Sequence, residues 1–517
     1  MATTAPPHDA TVEREAEAWM EDPYGHFGHH NTRIHSLERE HVEAVQLAAM
    51  NRRLEERRGQ IQVLQKLADG QGVGTLALLD DMAPLLLPHD IYKSYPVSLL
   101  AKGQFGKLNT WLSRLTRHDP LQVDVSDCDS IDSWLVKLRD ETPLDVATSS
   151  GSTGTCSFFP KSKKDYQVSV MGLRVQLAQK FGEAPRPGDV EDTMHAIVPL
   201  YRDGHASTGA FAKYIREVFC KGDDSKLHTA FDFKISSDLM WLAARLRAAA
   251  AKGDASKVDV PPALLARREE WERSQAEAPA RQMEFINRMV TQLKGERVFA
   301  MGTSNMFYAV AKKGLEEGIK ASFSPDSVLM GGGGAKGVPL PDDLEEVICG
   351  FFGFERMTSG YGMTEMNSFS ILCEHDHYHV LPWVTVFQLD LDTGQPLPRK
   401  GRQTGRAAFF DMTQDSTWGG LITGDLVTID WDNTCSCGRT SVALEKKINR
   451  VSELQGGDDK ISCAATPQAQ AEAMDFLTGL GGLKLVPLVL SLSKHTGANP
   501  SFDKLRMSGV EYSRIYA

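Results

Sequence analysis

Apolar and polar positions along this chain follow two different rhythms. In the middle third, short apolar runs stand between longer stretches with helical spacing. The runs 195–201, 297–301 and 327–330 read as buried strands, and 356–357 as a last short one leading to Tyr361. Residues 163–181, 236–252, 304–314 and 342–352 carry helical patterns. Phe285, Ile286, Met289, Val290 and Leu293 fall on one helix face, and Gly295 stands where a helix C′ residue belongs. Pro279 is expected to interrupt the helical stretch that begins near Pro262. Alternating strands and helices predict an α/β fold with ligands beyond the strand ends. After residue 380 the rhythm changes. Short runs at 384–391, 405–410 and 426–429 are separated by glycine- and proline-containing turns, which predicts a small antiparallel β region.

The first part of the chain is mostly helical in pattern. Residues 1–35 are polar, carry His26, His29, His30 and His35, and read as a partly irregular arm. That histidine cluster fits either a metal or a solvated arm. Ser36 reads as the N-cap of a helix reaching Arg58, with Glu38 and Glu40 in its first turn. Glycines between Gly70 and Gly74 break the next helix. Further helices are expected at 108–115 and 131–138.

Composition narrows the partners. The chain has 517 residues, 24% charged and 41% hydrophobic, with net charge −11. An acidic surface offers no field for nucleic acid, although local groups can still bind a nucleotide. No signal peptide pattern opens the chain. The most apolar run, 477–492, is too short and too interrupted for a membrane span. Eight cysteines in a chain this long predict reduced thiols and a cytoplasmic protein.

Candidate chemistry begins at Thr148-Ser149-Ser150-Gly151-Ser152-Thr153-Gly154, between apolar flanks. Hydroxyls and glycines together present many donors to one anion, so the segment reads as a phosphate loop. A surface linker has the same composition. The Walker ending is absent. Further on come Gly331 to Gly334, then Tyr361-Gly362-Met363-Thr364-Glu365, then Thr423-Gly424-Asp425. In this order and at these separations the blocks resemble the adenylate-forming, acyl-CoA synthetase-like enzymes. The look is that of the phenylacetate–CoA ligase branch and of the acyl-protein synthetases of luminescence systems, over roughly residues 110–460.

The resemblance implies a fold and a chemistry. It predicts a large α/β adenylation part with mixed sheets flanked by helices, a small β region and a rudimentary C-terminal lid. The corresponding division is 1–110, 111–448 and 449–517. A carboxylic acid would react with ATP to give an acyl-adenylate, and the acyl group would pass to a thiol, coenzyme A first of all. Ser149, Ser150, Gly151, Ser152, Thr153 and Gly154 would hold phosphates. Thr364 would meet the α-phosphate and Glu365 a Mg²⁺ ion, a hard cation that prefers carboxylate oxygen. Gly332, Gly333, Gly334 and Tyr361 would line the adenine, Asp425 would take the ribose hydroxyls, and Arg450 would reach ATP from the hinge at 447–450. Pro199 to Gly209, with Arg202, His205 and Ser207, would lie near the acyl pocket.

Two departures stand out. Many members carry a lysine just after the phosphate loop, where this chain has Thr155-Cys156-Ser157. Lys161, Lys163 or Lys164 would have to supply that charge. The residues after Arg450 offer no match for the lid lysine, and 491–509 looks like a translated repeat element of bacterial genomes. Two further functions therefore stand beside the first: an acyl-protein synthetase whose acceptor is a thiol on the chain itself, with Cys156 or Cys463 as candidates, or on a partner protein, and a nucleotide-binding relative without turnover.

A metal centre is the last candidate. Cys435-Ser436-Cys437-Gly438-Arg439 reads as a tight turn, with Cys373, His375, His377 and His379 upstream. Three thiolates and one imidazole suit tetrahedral Zn²⁺. Cys373, His379, Cys435 and Cys437 are the expected ligands, an arrangement similar to that of some phenylacetate–CoA ligase relatives. Four reduced residues in β turns are the alternative.

Overall fold

The structure is a computed structural model. It describes residues 10–149, 155–250, 262–332 and 341–451, with single positions at 253, 258 and 260 and short backbone pairs at 506–507 and 510–511. Ser150, Gly151, Ser152, Thr153, Gly154, Gly333, Gly334 and Cys463 lie outside the described residues, as does the apolar run at 477–492.

Strands occur in the following order: β1 Leu87–Pro88, β2 Ala147–Ser149, β3 Ser157–Phe159, β4 His195–Gly204, β5 Leu227–Ile235, β6 Val298–Met301, β7 Val328–Gly331 and β8 Thr358–Tyr361. Then come β9 Ser370–Leu372, β10 His377–His379, β11 Val384–Leu389, β12 Arg402–Asp411, β13 Gly420–Asp430, β14 Ala443–Glu445 and β15 Asn449–Arg450. Among the described residues one mixed sheet runs β11-β12-β13-β14-β10-β9-β8-β7-β6-β4-β5, with β1 and β15 attached to β13. Its β5-β4-β6-β7-β8 half is parallel. Pairing turns antiparallel at β8–β9, where Tyr361 faces Ser370. The α/β class and the antiparallel region expected from the sequence are both present.

Helices cover the parallel half, as buried parallel strands require. Helix Ser207–Val218 follows β4 directly. Phe219 beyond it stacks on Phe299 of β6 with ring centroids 4.2 Å apart. A second core joins the N-terminal helices to the antiparallel half, with Trp19 and Trp383 fully enclosed.

Four local expectations need correction. From residue 10 on, the N-terminal arm forms helices Ala10–Glu21, Pro23–His26 and Asn31–Ile34, because Trp19, Tyr24 and Ile34 pack into that second core. Ser36 is not an N-cap: its hydroxyl donates to the Thr32 carbonyl at 2.6 Å, and helix Arg39–Arg58 starts beyond Glu38. Pro279 does not break its helix, which runs Arg268–Gln292. The proline lies on the exposed side, while Phe285, Ile286, Met289 and Leu293 are sealed inside and pin the helix. Residues 356–357 precede β8 rather than forming a strand. Among the described residues no helix is long and apolar enough to cross a membrane.

Candidate functional site

The C-terminal ends of the parallel strands converge. β4 ends at Gly204 before His205 and Ser207, β7 ends at Gly331 before Gly332, and β8 ends at Tyr361 before Thr364 and Glu365. This edge is where α/β sheets bind ligands. Sterics shape the turn after β8: a Cβ on Gly362 would lie 2.4 Å from the Phe369 ring, so a side chain there would displace it. Among the described residues a Cβ at Gly332 would meet nothing within 4 Å.

β2 and β3 form a separate hairpin, with Ser149 opposite Ser157. The predicted phosphate segment therefore joins two strands, as the apolar flanks implied. The Thr148 amide donates to the His205 carbonyl at 2.6 Å. Ser207 Oγ donates to the Thr148 carbonyl at 3.2 Å and shares a hydrogen bond of 2.9 Å with Thr364 Oγ1. Ser207 thus bridges the strand that enters the phosphate segment and the residue expected to meet the α-phosphate.

Tyr361, Asp425 and Arg450 come from three separated stretches and meet. Tyr361 Oη donates to Asp425 Oδ2 at 2.8 Å, and Arg450 Nε lies 3.1 Å from Asp425 Oδ1. Backbone pairing sets this up, since β15 places Arg450 opposite Asp425 on β13. Burial and the adjacent carboxylate push the tyrosine pKa well up, so its hydroxyl stays a donor. A carboxylate has about four acceptor directions, so Asp425 keeps capacity for two more donors. The Tyr361 ring packs 6.0 Å from Tyr378 and 5.9 Å from Phe409.

Glu365 is half-buried, and burial raises its pKa to about 6 while the Lys161 charge pulls the other way. One carboxylate beside substrate phosphates is a common way to hold Mg²⁺, so the site fits that ion.

The lysines proposed to replace the missing loop lysine are engaged or placed elsewhere. Lys161 is buried and donates to the Met366 carbonyl and Asn367 Oδ1, both at 2.8 Å. Lys164 reaches Glu21 at 2.7 Å, and Lys163 is exposed at the start of its helix. Arg202 binds Asp224 at 2.7 Å and the Leu227 carbonyl at 3.2 Å. His205 is buried with Nδ1 3.6 Å from Asp145 Oδ1. Cys156 is buried under a 2.7 Å hydrogen bond from Tyr95 Oη to its carbonyl, and burial pushes its thiol up to about 12. A neutral, enclosed thiol is a poor acyl acceptor.

Sequence reasoning missed the polar loop 411–417. Gln414 Nε2 donates to the Glu365 carbonyl at 3.0 Å, and Asp411 Oδ2 accepts from the Asn367 and Ser368 amides, each at 2.9 Å. The available signal was its composition: Asp411-Met-Thr-Gln-Asp-Ser-Thr417 interrupts two apolar strands yet is buried in the structure.

Cys373, His379, Cys435 and Cys437 gather as the spacing implied, with all four donor atoms within 4.8 Å of one another. Cys373 Sγ lies 3.8 Å from Cys435 Sγ, and Cys437 Sγ 3.2 Å from His379 Nε2. A tetrahedral ion with Zn–S bonds of about 2.3 Å separates sulfurs by about 3.8 Å, so the donor set fits zinc. His379 Nδ1 is paired with Ser441 Oγ at 3.1 Å, which turns Nε2 toward the thiols. His35 of the N-terminal histidines shares that hydroxyl at 2.9 Å.

No family model matches the sequence, and no curated protein matches it. Among solved structures, an open 2-hydroxyisobutyryl-CoA ligase in complex with 2-HIB-AMP and CoA is 13% identical, covering 81% of this chain and 72% of that one, with a TM-score of 0.43. ATP-bound MatB from Rhodopseudomonas palustris is 16% identical over 58% of this chain and 48% of its own, with a TM-score of 0.30. The luciferase-like enzyme of the nonluminescent mealworm Zophobas morio is 14% identical over 58% and 57%, with a TM-score of 0.29. The chain is similar, in these comparisons, to a CoA ligase crystallised with an acyl-AMP and to an ATP-bound protein.

Proposed function

We propose that this protein is an AMP-forming ligase that activates a carboxylic acid with ATP and passes the acyl group to a thiol, coenzyme A first of all. The observation that carries the reading is the meeting of Tyr361, Asp425 and Arg450 beside the Ser207–Thr364 contact at the strand ends. These groups supply what adenylation needs: an acceptor pair for ribose, a hydroxyl for the α-phosphate and a cation nearby.

In this reading the substrate carboxylate oxygen attacks the α-phosphorus, and the bond to pyrophosphate breaks. Thr364 orients the α-phosphate, Asp425 holds the ribose hydroxyls, and Arg450 offsets phosphate charge. Ser149 and the segment after it receive the outer phosphates. Glu365 would hold Mg²⁺, which would supply neutralisation of phosphate charge when bound. Thiol transfer follows: sulfur attacks the acyl carbon, AMP leaves and the thiol proton is released. The burial of Cys156 counts against that residue as an acyl acceptor and leaves a thiol on a partner protein as the alternative to coenzyme A. A structural Zn²⁺ on Cys373, His379, Cys435 and Cys437 would tie β10 to the turn before β14. A cytoplasmic location fits the free thiols of such a protein.

Pyrophosphate exchange over a panel of carboxylic acids tests the first step. Acid-dependent exchange supports the reading, and its absence with ATP still bound would leave a nucleotide-binding protein without turnover. Acyl transfer with and without coenzyme A then identifies the acceptor.

A further inference from the structure

The backbone that follows Thr364 is held by side chains from two distant stretches. Gln414 Nε2 takes the Glu365 carbonyl at 3.0 Å, and Lys161 Nζ takes the Met366 carbonyl at 2.8 Å. Asn367 is the hub behind them. Its Oδ1 accepts from Lys161 at 2.8 Å, its Nδ2 donates to Asp165 Oδ1 at 2.8 Å and the Thr413 carbonyl at 3.2 Å, and its amide donates to Asp411 at 2.9 Å. Lys161 is 3% exposed, Gln414 2%, Asn367 1%, and Asp165 and Asp411 0%.

A buried ammonium is costly to keep, and here the buried carboxylates of Asp165 and Asp411 offset its charge while its hydrogen bonds go elsewhere. Lys161 spends its donors on a carbonyl and an amide oxygen at the exit of the Thr364–Glu365 turn. Gln414 grips the carbonyl one residue earlier. Between them, two successive peptide units are fixed in place. A turn so clamped presents its side chains in one geometry, which is what preorganised phosphate and metal binding demands.

We propose that Lys161 and Gln414 are positioning residues for adenylation, fixing the backbone that aims Thr364 and Glu365. The inference rests on the ligase reading above. Lys161 acts through the Met366 carbonyl and the Asn367 side chain, a positioning role distinct from that of the absent loop lysine.

The test uses the full chain and three variants, Lys161→Met, Gln414→Met and Glu365→Gln, with the double variant K161M/E365Q. Mn²⁺ is titrated into the protein–ATP complex, with free Mn²⁺ read by electron paramagnetic resonance, and pyrophosphate exchange is measured alongside. K161M and Q414M should each weaken Mn²⁺ at least fivefold and slow exchange at saturating ATP at least tenfold, with KM for ATP within about twofold of wild type. K161M/E365Q should bind Mn²⁺ no more weakly than E365Q, since both changes act on one carboxylate. Wild-type Mn²⁺ binding and exchange in K161M and Q414M would overturn the proposal, as would losses that add in the double variant. If K161M does not fold, Q414M, which keeps side-chain volume, decides alone. A wild-type chain that neither binds ATP nor exchanges pyrophosphate refutes the ligase reading and this inference with it. Active wild type with equally active variants refutes positioning alone.

Discussion

Tyr361 and Asp425, 64 positions apart in sequence, are joined by a hydrogen bond of 2.8 Å from phenol to carboxylate. The bond crosses from β8, the last parallel strand, to β13 in the antiparallel half. Arg450 holds the other carboxylate oxygen at 3.1 Å. Asp425 is therefore oriented before any ligand arrives.

Tyr361→Phe removes that orienting donor and little else. A hydrogen bond to a charged group is worth about 1.5–3 kcal/mol. ATP affinity should fall roughly tenfold to a hundredfold, while the melting temperature moves little because the ring stays packed. Calorimetric titration of ATP into wild type and variant checks it; unchanged affinity would remove Asp425 from the nucleotide site.

Glu365→Gln should abolish pyrophosphate exchange and leave the fold intact. The amide keeps the shape and loses the charge that a hard cation needs. Exchange assays with circular dichroism on the same preparation decide it, and undiminished exchange in a folded variant would refute the assignment.

The Cys/His cluster should hold about one zinc per chain. Cys435→Ser should lose the metal and lower the melting temperature, because the cluster links β10 to the turn carrying Cys435 and Cys437. Elemental analysis of protein purified without chelators gives the answer directly. Metal-free protein of unchanged stability would leave four reduced residues.

Acid stability should depend on Asp415. Burial alone would raise its pKa, but His118 at 3.0 Å, Ser162 and Arg117 outweigh this and hold it well below the usual carboxylate range. A depressed native pKa gives stability that is present above the unfolded value, near 3.9, and is lost as pH falls below it. Asp415→Asn should be less stable than wild type at pH 7 and lose less stability between pH 5 and pH 3. Chemical denaturation across that range tests both; parallel losses in the two proteins would contradict it.

What the sequence determined by itself was local. Short continuous apolar runs marked β4, β6 and β7, because parallel strands covered on both faces read that way, and spacing near 3.6 marked most helices, because burying one helix face needs that period. The order of the glycine, Tyr361–Glu365 and Thr423–Asp425 blocks pointed to a nucleotide site, and the Cys/His spacing pointed to one metal cluster. Tertiary structure decided the rest. Pro279 stays helical because its neighbours Phe285 and Ile286 are buried by distant strands. Lys161 turns inward because Asn367 and Met366 offer acceptors there. Asn367 meets Asp165 across 202 positions, and Asp165 meets the Asp415 amide across 250. A polar pair formed over such separations leaves no periodic trace, since each partner alone reads as an ordinary surface residue. Only the folded chain, in which water is excluded and most buried donors find an acceptor, shows which polar residues belong together.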